Sequence, residues 1–192
     1  MDIVTFIHSF RVFDLLFLLF LSVAFLLGYI QGAIRRILGI GSILFAFLFA
    51  VNARDGLGRF FAENWHQFPA EYSFMIAFGL VFVVSALALS LVTQSFYTQT
   101  PLFSKATFVD ELLGGLLGVV QGMFILGFVI VILDSYFRLQ GSLQYSTELP
   151  FLRSFWEAMD ASGTAHIFRE TLIPNFFALV GLFVPASIRA LY

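Results

Sequence analysis

Residues 112–133 read LLGGLLGVVQGMFILGFVIVIL, twenty-two positions in a row without a charge. As a helix rising 1.5 Å per residue this stretch is about 33 Å long, which matches the roughly 30 Å hydrocarbon core of a bilayer. Asp110 and Glu111 stand just before it, where a helix dipole favours acids, and Asp134 closes it. It reads as a transmembrane helix.

Working outward, residues 72–93 form a second charge-free run, and residues 12–34 a further apolar run whose one charge is Asp14 near its start, bounded by Arg11 on one side and by Arg35 and Arg36 on the other. A shorter apolar run, 37–51, follows almost without a loop, so the chain must reverse tightly around Gln31, Gly32, Arg35 and Arg36. Residues 56–72 mix charges with Trp65, His66 and Pro69, the composition of a loop with a short interfacial helix. The expectation is an all-α integral membrane bundle of about four transmembrane helices in residues 1–140, with spans near 12–34, 37–51, 72–93 and 112–133.

Composition agrees. Of 192 residues, 60% are hydrophobic and 11% charged, against roughly 45–50% and about 25% in an ordinary soluble domain. Twenty-seven Phe residues are too many for one small water-soluble core, and lipid is the solvent that accepts them. The net charge of −2 offers nothing to nucleic acid. With no Cys there are no disulfides or thiolate sites, and His8, His66 and His166 are too dispersed in sequence to suggest a metal site. No cofactor is expected. The first ten residues contain Asp2 but no Lys or Arg, so the N-terminal span reads as a retained helix and not as a cleaved signal.

Beyond Asp134 the apolar residues become periodic. Phe151, Leu152, Phe155, Trp156 and Met159 recur at helical spacing after Pro150, with Arg153, Ser154, Glu157 and Asp160 between them. A second stripe, Ile167, Phe168, Leu172, Phe176, Leu179 and Val180, places Arg169 and Glu170 on its polar side. Residues 141–192 are therefore expected to be an amphipathic tail lying on the membrane surface or against the bundle. A fifth span over 173–191 would be interrupted by Pro174, Asn175, Pro185 and Arg189. Positive charges do not decide orientation, with Arg35, Arg36 and Lys105 on one side and Arg11, Arg54, Arg59 and Arg138 on the other.

Two patterns stand out within the spans. Gly114, Gly118 and Gly122 recur every fourth residue and share a helix face, and Gly28 and Gly32 repeat the spacing; such faces let helix backbones approach closely. Acids near membrane depth are functional candidates by default, which singles out Asp14, Asp110 and Asp134. Their plainer reading is that water reaches them at the span ends, with Arg11 pairing Asp14 across one helical turn. An intramembrane protease is disfavoured: no His lies within a span to serve a buried Ser, no Gly-Xaa-Ser-Xaa-Gly elbow occurs, and Asp110 and Asp134 flank one helix too far apart to form a dyad. No catalytic residue is assigned.

In order and spacing these features resemble the colicin V production family of small bacterial inner-membrane proteins. The residues that carry the resemblance are Asp14, Gly32 with Arg35 and Leu38, the run Val109-Asp110-Glu111-Leu112-Leu113-Gly114 with Gly118 and Gly122, Leu133-Asp134-Ser135-Tyr136, and the aromatic stretch Phe151 to Met159. Gln31 and Glu111 depart from the family's usual basic residues at those positions, which removes two cations that could hold an anionic lipid headgroup. The resemblance implies a multi-pass inner-membrane protein linked to toxin production or export and to envelope resistance against stresses such as bile salts. On this reading it is no enzyme; its partners are lipid and either copies of itself or other membrane proteins, engaged through the glycine faces. The alternative is a small oligomeric channel or transporter with Asp14 or Asp134 at the pore mouth.

Overall fold

The computed structural model describes residues 12–66, 68–96, 107–140 and 149–192. Four long helices dominate: α1 (Val12–Gln31), α2 (Ala33–Asn64), α3 (Ala70–Phe96) and α4 (Thr107–Gln140). Each is long and apolar enough to cross a membrane. The tail adds α5 (Pro150–Asp160), α6 (Gly163–Ile167), a π-helical turn at Phe168–Leu172, α7 (Ile173–Val180), a 3-10 turn at Gly181–Phe183 and α8 (Ala186–Arg189). Among the described residues there is no strand. His8, Arg11 and Lys105 lie outside them.

Helix α2 differs from its sequence reading. Residues 56–64, expected as loop, continue the helix, which reaches 32 residues and therefore about 48 Å. Two glycines lie inside this extension and differ in their surroundings. Gly56 is exposed with open space around it, whereas Gly58 is buried under the Phe74 ring of α3, so the second glycine makes room for a neighbour inside a continuing helix.

A single residue, Gly32, joins α1 to α2. Its φ of 78° lies in the left-handed region that side chains resist. Its N–H still donates to the Gly28 carbonyl at 3.0 Å, and a Cβ there would meet the Asp110 carboxylate at 2.6 Å. Glycine is required on both counts.

Helix α1 runs antiparallel along α4, and the two glycine repeats meet. A Cβ on Gly28 would strike the Gly114 carbonyl, one on Gly114 the Gly28 carbonyl, and one on Gly118 the Ala24 carbonyl. Gly122 sits 3.1 Å, by the same measure, from Ala24 and Leu21 side-chain carbons. The seam lies inside one molecule, so these faces are already occupied and not open to a partner. Packing of this kind holds helices together in lipid, where there is no hydrophobic drive between them.

Across the bundle, α2 and α4 run parallel and α3 antiparallel to both, and Phe rings fill the space between them. Phe47 stacks on Phe128 at 3.9 Å between centroids, with Phe78 and Phe82 beside them. Outward-facing Phe45, Phe49, Leu87 and Leu91 are more than half exposed and present their surface to lipid.

Replacing Gly118 by Ala is expected to lower the thermal midpoint in detergent, because a methyl group driven into Ala24 backbone costs about 1–3 kcal/mol as overpacking. Gly41→Ala, where nothing lies within 4 Å, is the control and should leave the midpoint unchanged or slightly raised.

Candidate functional site: a buried carboxylate that fastens the tail

Asp134 is fully buried at the end of α4's apolar stretch. A carboxylate there must be matched, because desolvating an unpaired charge costs several kcal/mol. Four donors supplied by the tail do so. Arg169 approaches in bidentate fashion, Nε to Oδ2 at 2.7 Å and Nη2 to Oδ1 at 2.6 Å. The indole N–H of Trp156 donates to Oδ1 at 2.9 Å, and the hydroxyl of Tyr192 to Oδ2 at 2.8 Å. Each oxygen thus accepts two bonds, the full lone-pair capacity of the group.

The remaining arm of Arg169 binds Asp160, and neighbouring rings enclose the network: Arg153 lies over Phe137 at 5.3 Å and Arg138 over Tyr192 at 5.2 Å. Burial disfavours the charge on Arg169, but Asp134 and Asp160 outweigh it and hold the guanidinium above its ordinary range. Burial first, and then the charge and hydrogen bond of Asp134, push the Tyr192 phenol well above the ordinary tyrosine value.

Local backbone explains why Arg169 points inward. At Phe168–Leu172 the helix opens to a π-turn, with the Ile173 N–H reaching back five residues to the Phe168 carbonyl. Pro174, with no N–H of its own, follows at once. The wider turn shifts the helical register, so Phe168 and Arg169 are buried side by side while Ile167 and Leu179 are 60% and 84% exposed. The stripe read from sequence therefore breaks here, and Arg169 belongs to the interior.

Asp14 fastens the same end of the bundle. Its Oδ1 accepts from the Thr164 N–H at 2.9 Å and the Thr164 hydroxyl at 2.7 Å, at the start of α6. The Ser162 hydroxyl caps that helix as well, accepting from the Ala165 N–H at 3.1 Å. From there the tail runs down the flank of the bundle, placing Phe176 against Phe47, Phe124 and Phe128. It returns at Phe183, whose carbonyl accepts from Asn52. The tail packs on protein at membrane depth, as irregular backbone there requires. Leu182 and Phe183 remain outward at 97% and 64% exposure.

The sequence-selected residues thus separate into two groups. Asp14 and Asp134 both meet the tail, and all three candidate acids are buried, where the reading of their positions had water reaching them. Asp110 lies at the far end of α4 against Gly32, its Oδ1 buried without a hydrogen-bond partner. Arg35 is half-buried, and Arg36 turns into the bundle and donates to Gln121 at 2.7 Å. In α5, Met159 is buried and Leu152 and Trp156 half-buried, but Phe151 is 65% exposed and Phe155 43%, although the Phe155 ring touches Phe13. Sequence reading missed Thr164, Arg169, Tyr192 and Gln121. The signal for Arg169 was available: a membrane-depth acid needs a cation, and the tail carries one inside an apolar stripe. Among the described residues no three His, Asp or Glu side chains gather as metal ligands would.

Four spans, a sealed glycine seam and a tail folded back onto the bundle define a compact class of helical membrane protein. The chain belongs to the colicin V production protein family, whose profile matches residues 13–159. No curated protein and no solved structure gives a significant match. The matched stretch contains Asp14, Asp110 and Asp134 and ends before Arg169 and Tyr192.

Arg169→Gln is expected to destabilise the protein by about 3–5 kcal/mol, because it leaves Asp134 buried without its cation; chemical unfolding in mixed micelles measures this. The Tyr192 network carries a pH signature. A phenol with a raised pKa contributes its full stability below the unfolded value of about 10 and loses it as pH rises beyond that value. Stability should therefore hold from neutral pH to about 10 and fall above it, with a shallower fall in Tyr192→Phe.

Proposed function

We propose that the protein is a non-enzymatic bacterial inner-membrane factor that supports toxin production or secretion, or envelope homeostasis, working with copies of itself or other membrane proteins. Family membership over most of the chain supports this reading. The observation that carries it is the use made of the acids at the tail end of the bundle. All four lone-pair sites of Asp134 are taken by the tail, and Asp14 caps α6, which supports a structural role for both carboxylates in preference to a place in an ion or proton path. Partners are met through lipid-exposed faces such as that of Leu80, Val84, Leu87 and Leu91, since the glycine seam is closed within the molecule.

Two measurements test the proposal together. Proteoliposomes containing the purified protein should pass ions and small solutes no faster than empty vesicles. A host strain lacking the gene should lose toxin export or bile-salt survival, and wild-type protein should restore it where Arg169→Gln restores less. Flux well above that of empty vesicles would transfer the assignment to a channel or transporter.

A further inference from the structure

Between α2, α3 and α4 and the end of α1, at the end of the bundle away from the tail, lies a half-open cavity of about 340 Å³. Its wall includes Arg35, Arg36, Ser42, Ser90, Thr93 and Gln121. The other lining residues are apolar or neutral, and no carboxylate is among them. Two cations therefore face one cavity without an acid.

Arg36 is the unusual member. It is only 9% exposed, its side chain donates through Nη1 to the neutral Gln121 amide, and its Nε is buried with no hydrogen-bond partner. Among the described residues it has no carboxylate partner, in contrast to Arg169, which has two. A guanidinium is always charged. Holding it at membrane depth against a single neutral acceptor is costly, and intramembrane cations are found paired or beside a bound ion or water. Hydroxyls complete the lining: Ser42 and Thr93 lie 3.2 Å apart across α2 and α3, each donating to a carbonyl one turn back, Leu38 at 2.9 Å and Leu89 at 2.7 Å, and rotation of either hydroxyl would turn its one proton toward an oxyanion instead.

We propose that this cavity binds a phosphate-type oxyanion, carried by an anionic lipid headgroup or free in solution, with Arg36 as its principal cation, Arg35 adding charge and Ser42 and Thr93 donating hydrogen bonds. Guanidinium geometry suits phosphate oxygens, and charge-assisted bonds are the strong ones in such a site. The apolar part of the wall, Leu27, Ile43 and Leu87, accommodates the first carbons of a lipid chain. This goes beyond the proposed function and does not depend on it.

The test is thermal unfolding of the full chain in an uncharged detergent. One arm adds inorganic phosphate against chloride at equal ionic strength, and the other adds phosphatidylglycerol against diacylglycerol at equal mole fraction. At least one phosphate-bearing probe should raise the midpoint of the wild type, and Arg36→Gln should weaken that response about tenfold or more in probe concentration. Arg59→Gln, an exposed arginine elsewhere on α2, should leave it unchanged. A response to lipid alone identifies a headgroup site, and a response to inorganic phosphate identifies a free-anion site. No rise with either probe, or a rise that survives in Arg36→Gln, would overturn the proposal. If Arg36→Gln does not fold, the Ser42→Ala, Thr93→Val pair keeps Arg36 and its Gln121 bond and must still weaken the response; an unchanged response there would equally overturn it.

Discussion

A buried carboxylate at the end of the fourth span organises this protein. Asp134 sits where neither lipid nor solvent can stabilise it, so the chain must bring donors to it, and all of them come from the tail. Trp156 of α5, Arg169 in the π-turn and Tyr192 near the end of the tail converge on it. A buried ion pair of this kind is weak evidence for net stability, since an apolar substitute of the same shape would cost less to desolvate. Its consequence is geometric: with four directional bonds converging on two oxygens, the tail has one position.

The glycine seam and the Asp134 network constrain each other through α1. Close contact of Gly28, Gly114 and Gly118 fixes α1 against α4, and this places Asp14 at the same end of the bundle as Asp134. Thr164 meets Asp14 there, and Arg169, five residues further on, meets Asp134, so the tail is fastened at both carboxylates. Deep aromatic contacts from Phe176 to Phe124 and Phe128 fill the flank below. Loosening the seam and loosening the tail are thus expected to be coupled, not additive, because the two share α1 and α4.

Much of the bundle could be read from the sequence because the bilayer imposes a coarse rule: about twenty apolar residues, no charges, helix. Residues 112–133 and 72–93 obey it without interruption, and the resemblance to the colicin V production family followed from the order of Asp14, Gly32, Asp110 and Asp134. Position-level detail was harder. Residues 56–64 were read as loop from their mixed composition, but α2 continues through them against α3, where the cost of Gly58 in a helix is small beside the room it gives Phe74. Arg169 was assigned to a polar face because ideal 3.6-residue periodicity does not anticipate a π-turn. Arg36 looked like a residue of the turn, and only the packing of α2 on α4 brings it to Gln121 inside the bundle.

The most direct test of the account is the distance from the tail to the bundle in a bilayer. The sequence contains no Cys, so spin labels can be placed on cysteines introduced at Ser154 of α5 and Phe60 of α2, both exposed, without removing any native thiol. Pulsed electron paramagnetic resonance in lipid nanodiscs should give a single narrow distance distribution for the otherwise unaltered protein and a broad, longer one when Asp134→Asn is added. A broad distribution before that substitution, or an equally narrow one after it, would contradict the claim that Asp134 holds the tail in place.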